Sequence, residues 1–230
     1  MNKFLTSSLG KKTVMAATGL FLIVFLVEHL YTNVHLFFGD GGVEFNEASH
    51  SMVHSIFIRI VEVILFVAII VHVAQAVILT RDNNAARPVK YAVDGASKTS
   101  PWISRNMGIT GSLILFFIVV HLWQFFVPYR VTNTVGLDGQ LTLAEEVAAA
   151  LGNPLYAALY FVSVIILAFH ISHGFASAFQ SLGLNNKKYT PIMKMASTGL
   201  AILFGIGFAA FPIIFYAAKV MGKDFLHWNM

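Results

Sequence analysis

Apolar residues along this chain gather into five long runs that are separated by shorter polar stretches. The runs cover about residues 13–38, 56–79, 106–127, 154–181 and 195–218. A helix of about 20 apolar residues crosses the roughly 30 Å hydrocarbon core of a bilayer. The pattern therefore predicts an all-α integral membrane protein whose five transmembrane helices form a bundle, as a single domain over residues 1–230. The first run is too long for a signal peptide and lacks an Ala-x-Ala cleavage site, so we expect it to be a membrane span.

Composition agrees with this class and removes several kinds of chemistry. Hydrophobic residues make up 57% of the chain and charged residues only 11%, which is far from the profile of a soluble domain. The chain contains no cysteine. This excludes disulfides, thiolate metal sites and haem attached through cysteine.

The distribution of charge predicts the orientation in the membrane. Basic residues gather before the first run, after the second and after the fourth: Lys3, Lys11, Lys12, Arg81, Arg87, Lys90, Lys98, Arg105, Lys187, Lys188 and Lys194. Acidic residues dominate the other loops: Asp40, Glu44, Glu47, Asp138, Glu145 and Glu146. The positive-inside rule then places the N-terminus and the basic loops in the cytoplasm and the C-terminus outside. The net charge of +4 follows from this rule, and we expect no nucleic-acid partner.

Four of the nine histidines lie one apiece within the first four apolar runs: His29, His72, His121 and His170. Imidazole is costly in hydrocarbon because its nitrogens lose water and must find a partner. One such histidine is usually a packing residue, but four on four helices indicate a group that takes imidazoles in pairs. Two bis-histidine haems satisfy this requirement, and without cysteine they are of b type. The remaining histidines outside the fourth run are expected to be solvated or interfacial: His35, His50, His54 and His227.

Depth in the membrane predicts how the four histidines pair. At a rise of about 1.5 Å per residue, His29 lies about 17 residues past Lys12 and His121 about 16 residues past Arg105, so both fall in the outer half. His72 lies about 9 residues before Arg81, in the inner half. His170 lies about 13 residues before Gly183, somewhat deeper in the membrane than His72. The predicted pairs are His29 with His121 outside and His72 with His170 inside, which makes an electron path across the bilayer.

The fourth run offers a second candidate ligand, His173. A flat porphyrin favours small residues one turn from its ligand. His72 has Ala68 and Ala76 at these positions, and His170 has Ser163, Gly174 and Ser177 on its face, whereas His173 has Phe169 and Ile166. Depth slightly favours His173, and the small neighbours favour His170, with His173 then at the haem edge. For the outer pair the signal is weaker: His121 has Gly108 and Gly111 further inward, and His29 is flanked by Phe25 and Asn33.

Carboxylates at membrane depth are candidates for proton exchange with a quinone near the outer haem. Glu28 adjoins His29, and Glu62 lies one turn from Arg59. The alternative for Glu62 is an ion pair with Arg59 that has only a structural role. A further outer stretch, residues 141–151, is amphipathic and is expected to lie on the membrane surface.

Several short motifs together resemble one known family. They are Thr18-Gly19-Leu20 leading to His29, His72 followed by Ala76 and Arg81, His121-Leu122-Trp123, and Phe169-His170 with Gly174 running into Phe179-Gln180-Ser181-Leu182-Gly183. The chain resembles over its whole length the di-haem cytochrome b558 membrane anchor of succinate dehydrogenases and quinol:fumarate reductases. In that family the first and third helices hold the distal haem and the second and fourth the proximal one, as the depth argument predicts independently.

The resemblance implies the partners and the setting. A flavoprotein subunit with covalent FAD and an iron–sulfur subunit would dock on the cytoplasmic side of a bacterial inner membrane, and this chain would exchange electrons with a membrane quinone, menaquinone in the di-haem type. We expect docking at residues 81–105 and 182–191. Some relatives carry a glutamate two residues before the proximal ligand for transmembrane proton transfer; here that position is Ala168, so this proton path is not expected.

Two other functions compete with this interpretation. Quinone-linked di-haem cytochrome b subunits of hydrogenases or formate dehydrogenases share apolar helices with histidine ligands, and the flanking motifs favour the succinate and fumarate group over them. A transporter or proton-relay protein would also place histidine and glutamate in the membrane. Such proteins usually show matched broken helices, and Pro212 is the clear interior proline of this chain.

Overall fold

A computed structural model describes residues 3–86, 102–136 and 141–227. These residues form helices and no named β-strand. Two one-turn helices, Lys3–Thr6 and Trp102–Arg105, precede longer ones. The longer helices are α1 (Ser8–Val34), α2 (Val43–His54), α3 (Ile56–Ala85), α4 (Met107–His121), α5 (Leu143–Gly152), α6 (Pro154–Ser181) and α7 (Tyr189–Val220). Short 3₁₀ turns follow at His35–Phe37 and Phe225–His227.

Five stretches are long and apolar enough to cross a membrane, which confirms the predicted number of spans. They are Ser8–Phe37, Ile56–Ala85, Met107–Val131, Pro154–Ser181 and Tyr189–Val220. Large apolar side chains on each are more than half exposed, namely Val24, Ile70, Phe116, Phe169 and Ile206. Such continuous apolar surface is stable against lipid and not against water. The chain is a multi-pass membrane protein.

The ends of the helices differ from the predicted ones because polar residues near the membrane surface continue the helix. The first and last spans begin several residues earlier than predicted, and α3 continues from the expected residue 79 to Ala85. Lys11 at the start of α1 forms an ion pair of 2.6 Å with Asp82 at the end of α3. This pair gives the extra turns of both helices a stabilising contact.

Helix α4 ends at His121, and the chain continues directly as a π-helix. Residues Leu122–Val131 form a π-helix that contains Pro128. Proline lacks the N–H that an α-helical hydrogen bond needs. In the π-helix the Thr132 N–H donates to the Val127 carbonyl, five residues earlier, at 3.0 Å. Stretches of π-helix are frequent at functional sites, and this one carries Gln124 and Arg130.

The chain divides into two compact units, and all five spans contribute to both. Unit 1 comprises residues 1–25, 64–112 and 167–202, and unit 2 comprises residues 26–63, 113–166 and 203–230. The buried residues of unit 1 are mostly small: Ala16, Ala68, Thr110, Ile171, Ala178, Ser197 and Ala201. Unit 2 has a core of large side chains: Leu36, Phe45, Val147, Leu151, Tyr160, Phe211, Phe215 and Leu226, together with Ala144.

The amphipathic stretch 141–151 forms a helix, and its place on the membrane surface stays a prediction. Thr142 caps α5 with a capping box: its hydroxyl accepts from the Glu145 N–H, and the Glu145 carboxylate accepts from the Thr142 N–H. These bonds hold the pKa of Glu145 below its usual range. The apolar face packs into the core of unit 2, where Ala144 is fully buried, because Phe45 and Leu226 offer it apolar contacts without lipid.

The turn before α2 requires glycine. Gly42 has a φ of +80°, and a Cβ there would collide with the Cβ of Ala144. The left-handed backbone and the close approach both exclude larger residues. The turn is completed by Asp40, whose carboxylate accepts from the N–H groups of Gly42 and Glu44 at 2.9 and 2.8 Å.

Candidate functional site: two histidine pairs

His72 lies in α3 and is held from the neighbouring helix α1. The Thr18 hydroxyl lies 3.1 Å from His72 Nδ1. The next residue, Gly19, lies close to the ring: a Cβ at Gly19 would be 3.2 Å from His72 Cε1. A Thr-Gly pair thus positions this imidazole through one polar contact and one close backbone approach.

His170 lies in α6 and meets the same arrangement on α4. The Thr110 hydroxyl is 3.1 Å from His170 Nδ1, and a Cβ at Gly111 would be 3.6 Å from His170 Cε1. We expected Gly111 to accompany His121. The structure instead brings it to His170, because α4 presents Thr110 and Gly111 to α6 within unit 1.

The histidines of unit 1 lie among small residues. His72, His170 and His173 all lie in unit 1. Ala68, one turn from His72, is buried, and the other buried residues of this unit are small apart from Ile171. Helices that hold a flat macrocycle must leave such space around the ligand, so these residues fit a haem.

His173 lacks the contacts that hold His170. Within the described residues no hydrogen bond to its ring is found, and it is only partly buried. Phe169, which we expected to crowd its face, is more than half exposed. An i−4 neighbour is offset by about 40° around a helix, and here this offset turns Phe169 outward. The contacts with Thr110 and Gly111, and not Phe169, are what distinguish His170.

His29 and His121 face each other in unit 2. Their ring centres are 5.7 Å apart and their planes perpendicular. Two imidazoles that bind one metal through nitrogens at about 2 Å each have ring centres roughly 6 Å apart. The observed separation therefore fits a pair of axial ligands with little rearrangement of either ring.

Aromatic side chains surround this second pair. The His121 ring lies 5.6 Å from Phe117 and 5.4 Å from Phe125, and the His29 ring lies 5.8 Å from Phe208. The Tyr160 hydroxyl is 3.2 Å from His121 Nδ1. Apart from the aromatic rings, this hydroxyl and the amide of a neighbouring asparagine lie close to the two histidines.

That asparagine, Asn33, follows His29 by one turn of α1. Its amide donates to the His29 carbonyl at 2.7 Å and lies 3.5 Å from His29 Nδ1. The second distance is at the limit of a hydrogen bond. Asn33 therefore stabilises the helix turn and orients the His29 ring weakly.

The carboxylate of Glu62 lies between two arginines of unit 2. Arg59 donates to it at 3.0 Å and Arg130 at 3.4 Å. The predicted Arg59–Glu62 ion pair is therefore present, and Arg130 joins it. Glu28 accepts a hydrogen bond of 2.8 Å from Thr32 one turn later in α1.

Each unit contains one buried polar atom that has no hydrogen-bond partner within the described ranges. These atoms are Gln75 Oε1 in unit 1 and Arg130 Nε in unit 2. Gln75 lies one turn after His72. Buried polar groups are normally satisfied, so both atoms fit the polar edge of a bound cofactor or quinone.

Among the residues that the structure describes, no three histidine or acidic side chains gather as a metal site. Haem requires only two protein ligands, so this finding agrees with histidine pairs. His35, His54 and His227 bond locally: His35 to the carbonyls of Tyr31 and Thr32, His54 to the carbonyl of His50, and His227 to Asp224.

Three residues of these sites escaped the sequence reasoning: Thr110, Tyr160 and Arg130. Thr110-Gly111 repeats the dipeptide Thr18-Gly19, but Thr198-Gly199 repeats it too without a histidine contact, so the repetition alone does not identify the site. No sequence pattern indicated Tyr160 or Arg130, because their partners His121 and Glu62 lie 39 and 68 positions away in the chain.

Comparison with known proteins supports the resemblance that the motifs predict. The chain is 27% identical over 183 residues to the succinate dehydrogenase cytochrome b558 subunit of Bacillus subtilis (strain 168), an alignment that covers 78% of this chain and 81% of that protein. No family model matches the chain, and no solved structure matches it significantly. The predicted resemblance to cytochrome b558 anchors is confirmed.

Proposed function

We propose that this chain is the membrane anchor and electron-transfer subunit of a succinate:quinone oxidoreductase that holds two haems b. One observation carries the proposal: the rings of His29 and His121 lie 5.7 Å apart in unit 2, while His72 and His170 each meet a Thr-Gly pair in unit 1. The similarity to a cytochrome b558 subunit of succinate dehydrogenase supports the same function. The chain itself would not oxidise succinate.

The ligands follow from the two pairs. His72 and His170 would bind the haem of unit 1, and His29 and His121 the haem of unit 2. When bound, haem b supplies one-electron transfer, for which the protein provides ligands, burial and electrostatics. His173 would lie at the haem edge in unit 1, because the Thr110 and Gly111 contacts hold His170 instead.

Quinone chemistry would take place in unit 2. Glu62 is the proposed proton-exchanging group, and Arg59 and Arg130 would position its carboxylate through their ion pairs. Glu28, bonded to Thr32, is a second candidate. Arg130 Nε is available to a carbonyl or acidic group of the bound molecule. Menaquinone is the proposed substrate.

The partners would be a flavoprotein with FAD and an iron–sulfur subunit on the cytoplasmic side of a bacterial inner membrane. Lys187 and Lys188, after α6, are described and exposed, and they would contact the iron–sulfur subunit. Lys90 and Lys98, which we also expect at this surface, lie outside the described residues. The N-terminus would be cytoplasmic and the C-terminus outside.

The test is reduction of the purified complex by different donors. With an affinity tag on this chain, flavoprotein and iron–sulfur subunits should co-purify, and succinate should produce the absorption bands of reduced b-type haem. Adding an oxidised menaquinone analogue should reverse them. Reduction by hydrogen or formate and not by succinate would favour the hydrogenase or formate dehydrogenase alternative, and a chain with no haem spectrum would favour a transporter.

A further inference from the structure

We propose that Thr18 and Thr110 are positioning residues that fix the protonation and raise the basicity of the two histidines in unit 1. The inference rests on the proposed haem function and goes beyond it, since it assigns two hydroxyls outside the ligand set. The two threonines lie on different helices, α1 and α4, and each approaches the Nδ1 atom of one histidine at 3.1 Å.

Each threonine hydroxyl lies within hydrogen-bond distance of two backbone carbonyls that precede it in the chain. Thr18 Oγ1 lies 2.9 Å from the Val14 carbonyl and 3.1 Å from the Met15 carbonyl. Thr110 Oγ1 lies 3.1 Å from the Met107 carbonyl and 3.3 Å from the Asn106 carbonyl. A hydroxyl has one hydrogen, and a carbonyl oxygen only accepts. We infer that these carbonyls take that hydrogen, so that the threonine oxygen acts toward the imidazole as an acceptor.

This geometry decides which ring nitrogen carries the proton. Since the threonine accepts, Nδ1 of His72 and of His170 must carry the hydrogen and donate it. In a neutral imidazole the other nitrogen, Nε2, then has the free lone pair that a metal needs. Each Thr hydroxyl thus selects the ligating tautomer before any haem is present.

The glycine after each threonine fixes the ring from a second direction. A Cβ at Gly19 would be 3.2 Å from His72 Cε1, and one at Gly111 would be 3.6 Å from His170 Cε1. The absence of a side chain at both glycines lets the helix backbone lie beside the ring, more closely at Gly19 than at Gly111. The two contacts occur together on both helices, which is not expected of incidental threonine back-bonding.

The two threonines should lower the midpoint potential of the haem in unit 1. A hydrogen bond from the second imidazole nitrogen to an acceptor raises the basicity of the ligating nitrogen. A more basic ligand stabilises the oxidised iron more than the reduced iron. In unit 2 the hydrogen-bond partner found for the His121 ring is the Tyr160 phenol, at 3.2 Å. In the part of the chain that is described, no carbonyl is found to accept the hydrogen of that phenol.

The experiment is a redox titration of the purified complex with Thr18→Val and Thr110→Val, in which valine keeps the shape and removes the oxygen. We expect a higher midpoint potential for one of the two haems and no change in the other. Loss of such a partner typically weakens metal binding about 10–100-fold. If the oxidised haem loses tenfold more affinity for its ligand than the reduced haem does, the midpoint potential rises by about 59 mV.

Two kinds of matched control separate the effect of the hydrogen bond from the effect of packing. Thr18→Ser and Thr110→Ser keep the hydroxyl and should keep the wild-type potential. Thr198→Val removes an exposed threonine that makes the same type of backbone bond, at 3.1 Å to the Lys194 carbonyl, without a histidine contact, and should shift neither haem. If a valine variant loses one haem and its serine variant keeps it, the proposal is also supported.

Three results would overturn it. The valine variants could leave both potentials unchanged, the serine variants could shift as far as the valine variants, or the other haem could shift equally. In each case the wild-type complex would still contain two b-type haems reduced by succinate, so the proposed function would stand. If the wild type held no haem, the proposed function itself would fail.

Discussion

The two units hold the same kind of side-chain pair in contrasting surroundings. In unit 1 the rings of His72 and His170 each meet a Thr-Gly pair, and the buried neighbours are small. In unit 2 the rings of His29 and His121 face each other among aromatic side chains. One pair is held by polar contacts and the other by packing.

If each unit holds a haem b as proposed, this difference would give two haems of one chemical type different properties. Potential depends on ligand basicity, burial and nearby charge. Unit 1 acts on the ligand through two hydroxyls, whereas unit 2 combines an apolar wall with the Arg59–Glu62–Arg130 cluster. Under the proposed function, this charged cluster would make unit 2 the place for proton-coupled quinone chemistry.

The largest expected effect separates the two histidines of α6. His170→Ala should abolish the low-spin signal of the unit 1 haem, because it removes the ring that Thr110 and Gly111 hold. His173→Ala is the matched control and should retain that signal with a shifted potential. Electron paramagnetic resonance of both variants measures this. Haem loss only in His173→Ala would assign the ligand to His173.

Packing should matter most in unit 2. Phe204 is 1% exposed and stacks on Phe208, which contacts His29. Phe204→Ala should destabilise the protein by about 3 kcal/mol, the lower end of the usual range, because a bilayer offers little hydrophobic driving force. Thermal unfolding in detergent measures the change. Phe116→Ala, at a 61% exposed position, should have almost no effect, and equal losses in both variants would contradict this contrast.

The glycines of unit 1 provide a graded test. Gly19→Ala places a Cβ 3.2 Å from His72 Cε1 and should displace the ring by a few tenths of an ångström, whereas Gly111→Ala makes an ordinary contact at 3.6 Å with His170. We expect a marked change in the haem spectrum of Gly19→Ala and a small one in Gly111→Ala. A larger change in Gly111→Ala would show that the ring of His170 is the more tightly held.

The smallest effect is expected for the hydroxyl of unit 2. Tyr160→Phe removes the group 3.2 Å from His121 Nδ1 and retains the aromatic contacts with Phe117 and Phe125. The potential of the unit 2 haem should shift by less than the unit 1 haem shifts in Thr18→Val. A redox titration measures both. A greater shift in Tyr160→Phe would reverse the assignment of polar control to unit 1.

Much of the fold could be predicted from sequence because membrane spans depend on composition over long windows. The number and order of the five spans were correct, since each needs only length and apolarity. The π-helical stretch Leu122–Val131 was not predicted, because it depends on how Pro128 is accommodated after His121. The burial of α5 was also missed, since its partners Phe45 and Leu226 are distant in sequence.

The sites were predictable as far as residue type and depth suffice. Intramembrane histidines are rare enough to be noticed, and the division of the chain into two units is compatible with the pairs that their depths predict. Their hydrogen-bond partners were not predicted. Thr18 and Thr110 look like ordinary helix residues until the structure brings their hydroxyls to His72 and His170.

The central claim is that each unit holds one haem independently, and haem content per chain tests it most directly. Pyridine haemochrome assays of the purified complex should give two haems b for the wild type and one each for His72→Ala and His121→Ala, with different potentials for the haem that remains. One haem in the wild type, or loss of both haems in either variant while the protein still folds, would contradict the account.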